Sequence, residues 1–192
     1  MNAELALKHV VSSLREGVEL RSRIAQDCGE TIVQAASLMI QCLQSGGKLL
    51  FFGNGGSAAD AQHIAAELVG CYEKERRSWP AIALTTDTSA LTAVSNDLGY
   101  EQVFARQLAG LANAGDVLIA ISTSGRSKNV LKAVERAREL GCRTIALTGA
   151  TPDSLGSLCD FTVAVPSSRT SRVQEAHITI GHLWCEMVDQ IE

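Results

Sequence analysis

His63 and Glu67 stand four residues apart in a stretch of helical spacing. An imidazole and a carboxylate at i and i+4 share one face of a helix and can meet. Just upstream lies Gly53-Asn54-Gly55-Gly56-Ser57-Ala58, a glycine-rich turn that lets backbone approach a ligand at a helix start. A second loop, Ser122-Thr123-Ser124-Gly125-Arg126-Ser127, offers hydroxyls and a glycine at another helix start. Neutral donors of this kind can hold the oxygens of a phosphomonoester without a dedicated cation. Near the carboxyl end, Gln174 and His182 lie eight residues apart, about 80° round a helix axis, whereas His177 points elsewhere. Two imidazoles, a carboxylate and an amide form a hard-to-borderline metal set that suits zinc, although glutamine is an infrequent zinc ligand. The same groups could pass a proton between two carbons of a bound sugar.

The elements that must position these residues are legible from periodicity. The first 45 residues read as two helices, with Val10, Val11, Leu14, Val18 and Leu20 in one and Ile32, Ala35, Ala36, Leu38, Met39 and Leu43 in the other. Ser45-Gly46-Gly47 ends the second. Short apolar runs then follow at 48–52, 81–84, 116–121, 143–147 and 161–165. Helical segments lie between them, at about 57–71, 88–113 in two pieces, 127–140 and a short turn near 153–158, and a last helix covers about 171–191. Strands that are apolar throughout and alternate with helices indicate a parallel sheet covered on both faces. The expected architecture is therefore α/β: a three-layer sandwich around a five-stranded parallel sheet, preceded by a helical pair. In such a sheet ligands bind beyond the carboxyl ends of the strands, which is where both loops fall.

Composition narrows the classes. The chain has 192 residues, 17 Lys+Arg against 21 Asp+Glu, and a net charge of −4. A mildly acidic chain lacks the basic footprint of a nucleic-acid binder. With 46% hydrophobic residues it has the makings of a packed core rather than a disordered segment. The six cysteines, at 28, 42, 71, 142, 159 and 185, contain no C-x-x-C. The start Met1-Asn2-Ala3-Glu4 carries no leader pattern, and no apolar run approaches a membrane span, so a reduced cytoplasmic protein is expected. Gly53, Gly55 and Ala58 also fit G-x-G-x-x-A, but the nearest partner acid, Asp87, lies 29 residues beyond Ala58, too far for the dinucleotide pattern. A G-x-x-x-x-G-K-[ST] phosphate loop does not occur.

Taken together, Gly53 through His63, Glu67-Leu68, Pro80 through Leu84, Asn96-Asp97, Ile121 through Gly125, Arg172 through His177 and His182 resemble the sugar isomerase (SIS) family over nearly the whole chain. The resemblance implies a flavodoxin-like or Rossmann-like fold in a single domain over 1–192, with an α/β core at 46–192. Residues 1–45 would then serve a homotetramer. It further implies a cytoplasmic aldose–ketose isomerase that converts sedoheptulose 7-phosphate to D-glycero-D-manno-heptose 7-phosphate through an enediolate, feeding heptose and lipopolysaccharide synthesis. Carried over by position, Asn54, Gly55, Gly56, Ser57, Asn96 and Asp97 contact substrate, as do Glu67 and Gln174. Ser122, Thr123, Ser124 and Ser127 cradle its phosphate. His63, Glu67, Gln174 and His182 match a site for one zinc per subunit, and Glu67 and His182 match the acid–base pair. Some members carry Asp where this chain has Ser171, so no carboxylate at that position can be essential here. The alternative within the same fold is a non-enzymatic protein that binds the replication initiator. Retention of Glu67 and His182 favours the enzyme.

Overall fold

The computed structural model describes residues 2–191. Helix α1 (Ala3–Asp27) starts at Asn2, whose side chain accepts from the Leu5 N–H at 2.9 Å and so caps the first turn. The chain breaks at Cys28 and continues as α2 (Gly29–Gln44). Strand β1 (Leu49–Gly53), helix α3 (Gly56–Val69) and strand β2 (Ala81–Ala83) follow. Next come α4 (Thr88–Leu98), a 3-10 turn (Tyr100–Gln102) and α5 (Val103–Leu111). Strand β3 (Val117–Ser122), α6 (Lys128–Glu139), β4 (Arg143–Thr148), α7 (Asp153–Leu158), β5 (Phe161–Ala164) and α8 (Thr170–Val188) complete the chain. Each apolar run of the sequence becomes a strand within one or two residues of its expected limits, and the segment 88–113 divides as expected.

All five strands are parallel, in the order β2-β1-β3-β4-β5. Alternation along the strands sends side chains to two separate cores. Leu49, Phe51, Val117, Ile119, Ile121, Ile145 and Leu147 pack with α2, α3 and α8. Leu50, Phe52, Leu118, Ala120 and Ala146 face α5, α6 and α7. The sheet is thus the middle layer of three, and burial on both faces explains why its strands are predominantly apolar. Order reverses between β1 and β3, whose carboxyl ends lie side by side. That switch point places the glycine-rich turn after β1 next to the serine loop after β3.

Helices α3 and α8 lie on the same face and run in the same direction. Gly56 meets Gln174 near their amino ends and Ile64 meets Gly181 midway. A Cβ on Gly181 would overlap the Ile64 side chain, so glycine there permits the close crossing. Helix α1 contributes only Leu20 and Ile24 to the core and leaves Leu5, Leu7, Val10, Leu14 and Val18 half-exposed or more. No helix among the described residues is long and apolar enough to cross a membrane. None of the six cysteines is paired. Cys28, Cys42, Cys142 and Cys185 are buried, Cys159 is half-buried and Cys71 is exposed.

Candidate active site

His63 and Glu67 project from α3, as their spacing predicts, with Nε2 and Oε1 3.2 Å apart. His182 projects from α8 and brings its Nε2 to 3.0 Å from that of His63. The ligand atoms of all three residues lie within 4.8 Å of one another. Two imidazole nitrogens aimed at each other beside a carboxylate define one point of convergence. Tetrahedral ligands about 2.0–2.2 Å from zinc stand roughly 3.3–3.6 Å apart, and the two separations from His63 Nε2, 3.0 and 3.2 Å, lie close to that range. The Gln174 side chain rests on Gly56, where a Cβ would lie within 2.5 Å of its Nε2. It therefore lies toward the amino ends of the α3–α8 seam, and the donors that converge are those of His63, Glu67 and His182.

The glycine-rich turn is held from the side. Asn54 and Asn129 exchange reciprocal amide hydrogen bonds, both 2.9 Å, and the Tyr100 hydroxyl donates to Asn54 Oδ1 at 2.9 Å. The network ties the turn after β1 to the first turn of α6. Ser57 is buried at the start of α3. Ser122 and Ser127 stand with their hydroxyls 3.4 Å apart, and Ser124 accepts from the Arg126 N–H at 3.3 Å. Ser127 occupies the N-cap of α6 but its side chain makes no capping bond. A helix start with uncapped N–H groups next to several hydroxyls is suited to an anion. Alongside, Thr123, Ser124, Arg126, Thr151, Ser167 and Thr170 line a cavity of about 270 Å³ beyond the carboxyl ends of β3, β4 and β5. Asn96 and Asp97, at the exposed end of α4, hydrogen-bond to each other at 2.8 Å. His177 is fully buried, and its Nε2–H donates to the Thr148 carbonyl at 3.1 Å. Burial lowers its pKa to about 4, with that hydrogen bond opposing, so it belongs to the core.

Residues 14–149 match the family model described as the SIS domain. The chain belongs to the SIS domain family. It is 53% identical over 184 residues to the phosphoheptose isomerase of Nitratiruptor sp., covering 96% of this chain and 98% of that protein. Among solved structures, the phosphoheptose isomerase of Neisseria gonorrhoeae superposes with a TM-score of 0.92 at 44% identity, covering 97% of this chain and all of that one. The enzyme of the same name from Francisella tularensis gives 0.94 at 40% identity, over 97% and 99%. These end-to-end matches place this SIS domain among isomerases that act on sugar phosphates. They lend no support to the alternative of an initiator-binding protein.

Three further residues of this SIS domain lie close to the trio. Asp60 stands one turn before His63, with Oδ2 buried and unpartnered. Burial raises its carboxyl to about 6, with the His63 charge pulling the other way. Its i, i+3 spacing to His63 was the signal available for it in the sequence. Tyr72 stacks on the His182 ring, centroids 5.3 Å apart, and Arg76 bonds the end of α3. Both lie in 71–79, a stretch without apolar period, so nothing in the pattern marks them.

Proposed function

We propose that the protein interconverts sedoheptulose 7-phosphate and D-glycero-D-manno-heptose 7-phosphate, supplying heptose for lipopolysaccharide or a related glycoconjugate. The observation that carries this reading is the convergence of His63, Glu67 and His182 on one point between α8 and α3, the helix that starts at the switch point of the sheet. Ser122, Thr123, Ser124 and Ser127, with the uncapped start of α6, hold the C7 phosphate. Binding energy at that remote end then orients the reacting end. Asn54, Gly55, Gly56, Ser57, Gln174, Asn96 and Asp97 contact the sugar. Glu67 takes a proton from C1 next to the ketone, leaving an enediolate, and a proton returns at C2 while His182 assists transfer of the hydroxyl proton from O1 to O2. His63, Glu67, Gln174 and His182 would hold one zinc ion per subunit, which supplies a positive charge beside the carbonyl. Glu67 thus serves both as ligand and as base, which requires its bond to the metal to be loose.

The whole of 1–192 acts as one SIS domain in this reading, in the cytoplasm. The exposed apolar residues of α1 support its use in a homotetramer, because a stripe containing Leu7, Leu14 and Val18 needs cover. The test is incubation with sedoheptulose 7-phosphate, with chelator and with added zinc. Aldose product that disappears with chelator and returns with zinc is the expected result. No product under any condition would end the proposal.

A further inference from the structure

Helix α8 ends at Asp189, an acid placed where the helix dipole disfavours negative charge. It is kept there by donors. Oδ2 accepts from the Glu73 and Lys74 N–H groups at 3.0 and 3.2 Å, and Oδ1 from Arg76 Nε at 2.7 Å. The guanidinium faces the other way with its remaining nitrogens. Nη2 donates to the Glu67 carbonyl at 3.0 Å, and Nη1 to the carbonyls of Leu68, Gly70 and Arg77 at 2.9, 3.2 and 3.1 Å. Arg76 therefore occupies the carbonyls left open at the end of α3, where a cation is favoured, while its Nε is bonded to the end of α8. Its side chain is 8% exposed and that of Asp189 is 1% exposed. Between the two ends of this clamp, Tyr72 stacks on His182.

We propose that Arg76 is a positioning residue for the His63–Glu67–His182 centre, and that Asp189 is its anchor. The inference rests on the functional reading above. Glu67 and His182 sit on different helices, and their meeting depends on the axial register of α3 against α8. Gly56 with Gln174 and Ile64 with Gly181 set that register from the amino ends to the middle. Beyond them the Arg76 fork is the polar link, and it grips the backbone of Glu67 itself. Lysine cannot reproduce it, because one ammonium cannot donate to the Glu67, Leu68 and Gly70 carbonyls and to Asp189 in a fixed plane.

The test compares Arg76→Gln, Arg76→Lys and Asp189→Asn with Lys48→Gln, which breaks a pair with Asp116 before β1 and β3 that makes no hydrogen bond to α3 or α8. Melting temperature, zinc affinity by chelator competition, and kcat and KM on sedoheptulose 7-phosphate are measured for each. Arg76→Gln is expected to lose about 10–100-fold in zinc affinity and in kcat with KM little changed. Arg76→Lys and Asp189→Asn should fall between it and the parent. Lys48→Gln should melt earlier yet keep zinc affinity and kcat. An Arg76→Gln protein that binds zinc and turns over like the parent overturns the proposal, as does a Lys48→Gln protein that loses both equally. A parent chain without turnover would instead sink the functional reading, and zinc affinity would still report on Arg76.

Discussion

The amino end of the sheet differs from the surface formed by its carboxyl end and the α3–α8 seam in how polar groups are treated. At the amino end Asp116 is buried and fully engaged: Oδ1 accepts from the Lys48 N–H at 2.9 Å, Oδ2 from the Asn113 N–H at 2.7 Å, and Lys48 Nζ stands 2.7 Å away. Asp160 likewise accepts from the N–H and hydroxyl of Thr144, at 2.7 and 3.0 Å. At the carboxyl end Ser127 leaves its helix uncapped, and along the α3–α8 seam Asp60 Oδ2 has no partner and two histidines aim the same nitrogen at each other. The first set serves the fold, and the second leaves donors and acceptors free for a ligand. The difference separates stability from chemistry.

Breaking the trio on the α3–α8 seam should give the largest effect. Glu67→Gln and His182→Gln should each lower kcat by about 10²–10⁴-fold, the usual contribution of a positioned acid or base, with melting temperature nearly unchanged. Steady-state kinetics on the folded variants checks this, and near-normal turnover in either would remove that residue from the mechanism. Breaking the amino end should do the reverse. Asp116→Ala strands the Lys48 charge and two backbone donors, and should cost about 3 kcal/mol of stability while kcat per folded molecule stays the same. Denaturant unfolding beside an activity assay measures both. A smaller effect is expected in the phosphate cradle. Ser124→Ala removes one neutral donor, about 1 kcal/mol, so KM should rise about fivefold with kcat little changed.

The smallest effect sharpens the boundary between the two regions. His177 lies behind the site, and burial holds its pKa at about 4 against an ordinary 6.5. The unfolded chain takes up this proton near 6.5 and the folded chain resists it until about 4. The stability tied to neutral His177 is therefore complete above about 6.5 and is lost as pH falls toward 4. A His177→Leu variant should show a shallower decline of melting temperature over that range. An identical decline would assign the slope to other groups.

Much of the site could be read before the fold was known, because its parts obey short-range rules. His63 and Glu67 meet by helical spacing alone, and the glycine and serine loops fall where strands end. The strand limits followed from apolar runs, since a sheet covered on both faces is built mostly from apolar positions. That His182 reaches His63 depends on a crossing at Gly181, a contact 117 residues distant from Ile64 that no local pattern encodes. Asn129 was equally hidden, since its pairing with Asn54 spans the switch point. Tyr72 and Arg76 lie in irregular backbone, where periodicity has nothing to report.

The burial of the cysteines has a practical consequence. Burial raises the thiols of Cys28, Cys42, Cys142, Cys159 and Cys185, to about 11 for Cys42 and about 12 for Cys159 and Cys185, which suppresses their thiolates near neutral pH. Cys71 alone is exposed, one residue before the tyrosine that stacks on His182. A fluorophore or spin label supplied at stoichiometric amount to the unaltered chain would attach there, and would report from beside the trio without any engineered thiol.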